Sequence, residues 1–77
     1  MILTLKRLTN CSITLYAGDH LPPHVHVRLQ DGREARVEIA SLTVLSGRIA
    51  RRELAEALAW AAEHRVLLIA TWEELNP

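Results

Sequence analysis

Side chains that can bind metal ions or transfer protons are concentrated in residues 19–26. This segment holds Asp19, His20, His24 and His26, and so three of the four histidines of the chain. Imidazole nitrogens and carboxylate oxygens bind zinc at about 2.0–2.2 Å. The four residues are therefore candidate ligands of a zinc ion or of another metal that imidazole binds well.

Proton transfer is a second chemistry open to the same histidines. Imidazole titrates near neutral pH, so His24 and His26 could act as a base and an acid. Arg28, or Arg36 on the following strand, could then stabilise a phosphate group. This alternative predicts a metal-independent ribonuclease in which His24, His26 and Arg28 are the catalytic candidates.

A third interpretation gives the segment no chemistry. Histidines face solvent in many strands, and Asp19 can hydrogen-bond its own backbone within a turn. Pairs of opposite charges across neighbouring strands would explain the polar residues equally well. The residues alone leave open a metal site, a proton-transfer site and a structural or partner-binding loop.

Alternating apolar and polar residues predict the strands that would carry these side chains. In residues 24–30, Val25 and Val27 occupy one face, whereas His24 and His26 share the other. Two prolines precede this strand, and their fixed backbone angles make the loop before the histidines stiff. The other strands are predicted at residues 2–8, 12–17 and 33–40, with a short fifth at 42–45.

The register of the third and fourth strands follows from their apolar faces. A three-residue loop that ends at Gly32 puts this glycine in the left-handed conformation such a loop requires. Val25 then lies opposite Val37, whereas a shift by one residue would mix the two faces. His24 lies opposite Glu38, which predicts Glu38 as the carboxylate that orients the His24 ring. The other predicted pairs are Val27 with Ala35, His26 with Arg36 and Arg28 with Glu34.

A single long helix is predicted over residues 50–75. Apolar residues recur there at spacings of three and four, without an interrupting glycine or proline. At 1.5 Å per residue this helix would be about 39 Å long, more than so small a sheet can cover. We therefore expect it either to bend near His64 and Arg65 or to project and form a homodimer. The predicted apolar stripe consists of Leu54, Leu58, Ala62, Val66, Ile69, Trp72 and Leu75.

These elements predict one α+β domain over residues 1–77. Residues 1–45 would form an antiparallel sheet of four to five strands, and residues 46–77 one long C-terminal helix, straight or bent, packed on it. Nine basic and nine acidic residues cancel, which argues against a non-specific nucleic-acid coat. With one cysteine, no signal peptide and no membrane-length apolar stretch, we expect a cytoplasmic protein without a membrane partner.

Three arginines mark the predicted start of the helix: Arg48, Arg51 and Arg52. They could form an anion site for an RNA phosphate or an acidic partner, together with backbone N–H groups. Alternatively, they form a solvated basic turn whose charge Glu53 and Glu56 offset.

One pattern extends over nearly the whole chain: Asp-His-x-Pro-Pro-His-x-His, then a hairpin, then a helix with Trp-Ala-x-Glu-His-Arg and a later Trp. It resembles a bacterial family described as domain of unknown function 4160, although this chain has Ala50 and Arg51 where members often begin the helix with Pro-Pro. The resemblance implies a small cytosolic protein encoded beside a second small protein, as in toxin–antitoxin modules. It implies no catalytic or ligand residues. The matching residues are Asp19, His20, Pro22, Pro23, His24, His26, Trp60, Ala61, Glu63, His64, Arg65 and Trp72.

The expected function is therefore protein binding within a toxin–antitoxin-like pair of proteins. Residues 19–26 and the helix start would form the contact surface for a small partner protein. One alternative is a histidine- or metal-dependent phosphodiesterase acting on RNA. The other is a structural module that a zinc ion stabilises, without catalysis.

Overall fold

The computed structural model describes residues 2–77, so that only Met1 of the predicted 1–77 domain lies outside it. Five strands form one antiparallel sheet in which each strand pairs with the next along the chain. The fold is thus α+β, with the helical part C-terminal as predicted. The strands are β1 Ile2–Arg7, β2 Cys11–Tyr16, β3 His24–Leu29, β4 Glu34–Glu38 and β5 Val44–Ser46.

The core lies between one face of this sheet and the C-terminal helices. Strands β2, β3 and β4 alternate apolar and polar side chains, and their apolar residues are buried on this face. Burying this apolar surface is the main term that stabilises so small a domain. The most deeply buried apolar side chains of the core include Ile13, Leu15, Val25, Val27, Val37, Ile39, Leu54, Leu68 and Trp72.

The register predicted for β3 and β4 is confirmed at all five pairs, with His24 opposite Glu38 and His26 opposite Arg36. Gly32 has a φ of +95°, and the Leu29 N–H donates to the Arg33 carbonyl at 2.8 Å across the loop. Matching of the apolar faces was therefore sufficient to place both histidines on one side of β3.

The predicted single helix is divided into three pieces: a 3₁₀ turn Arg51–Leu54, α1 Ala55–Glu63 and α2 Arg65–Leu75. The break falls at His64, where a bend was one of the two expectations. The His64 ring Nδ1 donates to the Trp60 carbonyl at 2.7 Å. The His64 backbone N–H, which would bond that carbonyl in a continuous helix, donates to the Ala61 carbonyl at 3.1 Å. The side chain thus takes the acceptor that the helical backbone bond would use.

The predicted apolar stripe is wrong in its middle. Ala62 and Val66 are exposed, Val66 to 86% of its surface, whereas Ala57, Ala61 and Leu68 are buried. A step of four residues overshoots one helical turn by about 40°, so Ala62 has already turned away from Leu58 within α1. The break at His64 then gives α2, and Val66 with it, a core face of its own.

No helix within residues 2–77 has both the length and the apolar character that a membrane span requires.

Candidate metal centre

Two imidazoles contact the same carboxylate oxygen where the 18–23 loop meets the start of β3. Asp19 Oδ2 lies 2.9 Å from His24 Nε2 and 3.0 Å from His26 Nε2. The three potential ligand atoms all lie within 4.8 Å of one another. We call Asp19, His24 and His26 the histidine cluster.

His24 is buried, with 1% of its surface exposed, and packs against the Trp72 ring with centroids 5.2 Å apart. Its Nδ1 lies 2.8 Å from the Pro22 carbonyl, which can only accept a hydrogen bond, so Nδ1 carries the proton. In the neutral ring, Nε2 then presents a lone pair to the cluster. This atom is buried and has no hydrogen-bond partner among the described residues, although Asp19 is close.

His26 is fixed in a similar way by a different acceptor. Its Nδ1 lies 2.6 Å from Glu34 Oε1, and the Tyr16 ring packs edge-on against it at 4.3 Å between centroids. An ionised carboxylate only accepts, so Nδ1 again carries the proton. Nε2 lies 3.0 Å from Asp19 Oδ2: it donates a hydrogen bond there when the ring is doubly protonated, and offers a lone pair when the ring is neutral. Carboxylates and carbonyls on the far nitrogen are the usual partners of metal-binding histidines, because they set the tautomer and raise the basicity of the ligand.

The C-terminal end of α2 holds the loop that carries Asp19. The Asp19 N–H donates to Asn76 Oδ1 at 2.9 Å, and Asn76 Nδ2 donates to the Tyr16 carbonyl at 3.2 Å. Within the loop, the His20 N–H donates to Asp19 Oδ1 at 3.0 Å. The Asp19 backbone is therefore held by Asn76, 57 residues later in the chain, and Asn76 is itself tied to the end of β2 through Tyr16.

The Asp19 carboxyl has a pKa below its ordinary value. Burial raises this pKa, but hydrogen bonds from His26 and from the His20 N–H, with the charges of His24 and His26, outweigh it. Asp19 is therefore ionised at neutral pH, as a metal ligand must be.

The arrangement supplies donor atoms of the kinds that transition metals bind. One carboxylate and two neutral imidazoles would provide three protein ligands, which would leave a fourth position for a water or a substrate, as in catalytic zinc sites. Ligand atoms around tetrahedral zinc stand about 3.3 Å apart, so the two contacts of Asp19, at 2.9 and 3.0 Å, would open slightly, and all three atoms already lie within 4.8 Å of one another. Without a cation, two Nε2 lone pairs would face an anionic oxygen unless the rings are protonated.

His20, the fourth predicted ligand, lies outside this group. Its side chain is 74% exposed, and its Nδ1 lies 3.3 Å from Asp19 Oδ1. Its Nε2 lies 3.3 Å from Arg36 Nη1, so the ring is turned toward a cation. His20 therefore flanks the histidine cluster.

The structure separates the other candidates from the cluster. Arg28 is exposed further along β3, and its predicted partner Glu34 binds His26 instead. Arg48, Arg51 and Arg52 are also exposed. The 3₁₀ turn that contains Arg51 and Arg52 lies at the far end of β3, where Glu53 contacts Arg33. The loop and the helix start therefore do not form one continuous surface.

Two partners of the cluster differ from the sequence prediction. Glu38, expected to orient His24, bonds Ser41, and the Pro22 carbonyl orients His24 instead. The orienting carboxylate is Glu34, which lies diagonally across from His26, a distance that long side chains span. That diagonal was visible in the predicted register. Nothing in the sequence pattern pointed to Asn76.

Comparison with known proteins identifies the family. The chain matches the domain of unknown function DUF4160 over residues 11–73, a range that includes every residue of the histidine cluster and Glu34. No curated protein and no solved structure matches the chain. On the extent of that match, the chain belongs to the DUF4160 family of domains.

Proposed function

We propose that this domain binds a divalent transition-metal ion, zinc in the first place, through Asp19, His24 and His26. The observation that carries the proposal is the His24 Nε2 atom, which is buried beside an anionic oxygen and has no hydrogen-bond partner within residues 2–77. A buried polar atom without a partner costs about 1–3 kcal/mol. A metal ion between the three ligand atoms removes that cost.

The surrounding contacts support a metal over a proton-transfer pair. Both Nδ1 atoms are engaged by acceptors, at 2.8 Å by Pro22 and at 2.6 Å by Glu34, so both rings offer the same nitrogen to one point. A base and an acid would need different protonation states and access to a substrate. His24 has no such access, because it is 1% exposed.

Elemental analysis of protein purified without an affinity tag tests the proposal. We expect about one zinc or related metal per chain. Cobalt substitution provides a second measurement, because its visible absorption reports the ligand set. His26→Gln should weaken cobalt binding by more than about 100-fold, since even an outer partner of a ligand is worth about 10–100-fold.

His64→Gln is the matched control. It also removes one imidazole, but this imidazole stacks on Trp60, 4.2 Å between centroids, outside the histidine cluster. We expect the control to bind cobalt as the wild type does. Metal-free protein that binds no added cobalt, or equal cobalt affinity in both variants, would contradict the proposal.

Protein binding is a second candidate function, favoured by the outer face of α2. Val66 is 86% and Leu67 48% exposed, which is unusual for large apolar side chains. Arg65 and Glu73 flank this face eight residues apart. Two copies packed antiparallel would therefore bring each arginine to a glutamate of the other copy.

The occupant that this charge arrangement favours is a second copy of the chain. Sedimentation analysis should then show a dimer that Val66→Asp dissociates and that Ala59→Asp, at an exposed position on α1, does not. A wild-type monomer at high concentration would remove the homodimer. The face would then be tested against a small partner protein, as in a toxin–antitoxin-like pair.

A further inference from the structure

A guanidinium group without an acidic partner stands beside the histidine cluster. Arg36 lies on β4 directly opposite His26 and is half-buried. Its Nε donates to Ser46 Oγ at 2.8 Å, which fixes the plane of the group. Within residues 2–77, no carboxylate lies within ion-pair distance of Arg36.

Arg36 remains without a carboxylate in contact once a metal is bound. With neutral histidines, Asp19 and Glu34 together contribute two negative charges, which a divalent ion cancels. The other acidic side chain on its own strand, Glu38, bonds Ser41 instead, so the Arg36 guanidinium stays unpaired in a partly buried setting. Such a charge is costly unless an anion or water satisfies it.

His20 marks the position that an anion would occupy. Its ring bridges the two components, with Nδ1 3.3 Å from Asp19 Oδ1 and Nε2 3.3 Å from Arg36 Nη1. The side chain is 74% exposed, so it can move into solvent without loss of core packing. A small oxyanion in its place would reach the cluster on one side and the guanidinium on the other.

We infer that the metal-loaded site binds a phosphate group, with one oxygen at the open metal position and a second on Arg36. The inference rests on the proposed metal site. Arginine suits this role because its planar fork donates two parallel hydrogen bonds to an oxyanion. A metal ion and a guanidinium on one phosphate also form a common arrangement for neutralising phosphoryl charge.

Calorimetric titration of inorganic phosphate into the zinc-loaded protein tests the inference. Zinc content is measured on the same sample. We expect phosphate binding that disappears in metal-free protein and that Arg36→Gln weakens by at least about 10-fold, the loss of one charge-assisted hydrogen bond. Arg36→Lys, which keeps the charge but not the fork, should fall between the two.

Arg28→Gln is the matched control, because Arg28 is an exposed arginine on the same face of the neighbouring strand, opposite Glu34. It should bind phosphate as the wild type does. Further arms separate the sources of the phosphate group: a nucleoside monophosphate, and a short oligoribonucleotide with and without a terminal phosphate. A nucleoside monophosphate that binds more tightly than inorganic phosphate identifies a nucleotide as the source. An oligoribonucleotide that binds more tightly only when it carries the terminal phosphate identifies an RNA end.

The outcomes separate this inference from the metal proposal. Zinc-loaded protein that binds no phosphate, or that binds it equally with and without Arg36, overturns the phosphate site and leaves the metal site standing. Phosphate binding without zinc overturns it as well. Failure to load zinc at all contradicts the proposed function itself.

Discussion

The two ends of β3 carry two polar networks of opposite character. At the C-terminal end, Arg33 binds Asp31 at 2.8 Å and Glu53 at 2.6 Å, with all three side chains accessible to solvent. At the N-terminal end, Asp19 faces His24 and His26 in a largely buried setting.

The difference lies in what each network still needs. In the Arg33 network each charged group contacts one of opposite sign, and water can solvate the second carboxylate, so no ligand is required. Solvent screening makes this network a weak source of stability. The histidine cluster instead directs a carboxylate and two fixed imidazoles to one point and leaves a buried nitrogen unpaired. Close contact between charged groups is thus a poor sign of function, whereas an unmet requirement at a buried atom is a good one.

Chelation should reveal the largest difference between the two networks. A ligand present at 100 times its dissociation constant stabilises a fold by about 2.7 kcal/mol, or roughly 10–20 °C in Tm for a domain of this size. We therefore expect zinc to raise the wild-type Tm by that amount over a chelated sample in calorimetry. His26→Gln should show no such shift. Identical melting curves of wild-type protein with zinc and with chelator would contradict a stabilising metal at the histidine cluster.

Changing Glu34 should give an intermediate effect. Glu34→Gln keeps an acceptor near His26 Nδ1 but removes its charge, so zinc affinity should fall by about 10-fold, measured by competition with a chromogenic chelator. Glu38→Gln is the control, because Glu38 lies opposite His24 and bonds Ser41. An equal loss in both variants would mean that surface charge, and not orientation of the His26 ring, sets the affinity.

Changing Arg33 should have the smallest effect. Hydrogen bonds from Arg33 lower the pKa of Asp31 and of Glu53. A lowered pKa in the folded state adds stability above the ordinary carboxyl values of about 4, and that stability is lost as the pH falls through the lowered values. Arg33→Gln should therefore lower the Tm slightly at pH 7, and this difference should vanish in acid and in about 1 M salt. A large loss that persists in salt would show that the exposed network is a structural necessity.

The fold was predictable to the extent that it depends on local alternation. Strand β3 alternates strictly, so His24 and His26 had to share a face, and the apolar residues of β4 admitted one register. The helical region was less predictable, because the His64 side chain competes with the backbone for one carbonyl. Leu54 and Val66 fit a helical spacing in the sequence, but Leu54 is buried in the core and Val66 is exposed.

The candidate site was predictable in its ligands but not in its setting. The short spacing of Asp19, His24 and His26, with the prolines between, was enough to nominate them. Their burial depends on Trp72 and on Asn76, which approach from the other end of the chain. Burial decides the chemistry, since an exposed histidine pair is ordinary, whereas a buried unpaired nitrogen is costly.

The sequence by itself determined the strand pattern, the pairing of β3 with β4 and the three side chains that could meet at one point. These follow from residue type and short spacing, which act through steric limits and the two-residue period of a strand. Only the tertiary structure decided that His24 is enclosed and that the loop carrying Asp19 is held in place. Those outcomes depend on Trp72 and Asn76, which lie far from residues 19–26 in the chain, and such contacts leave no local pattern in the sequence.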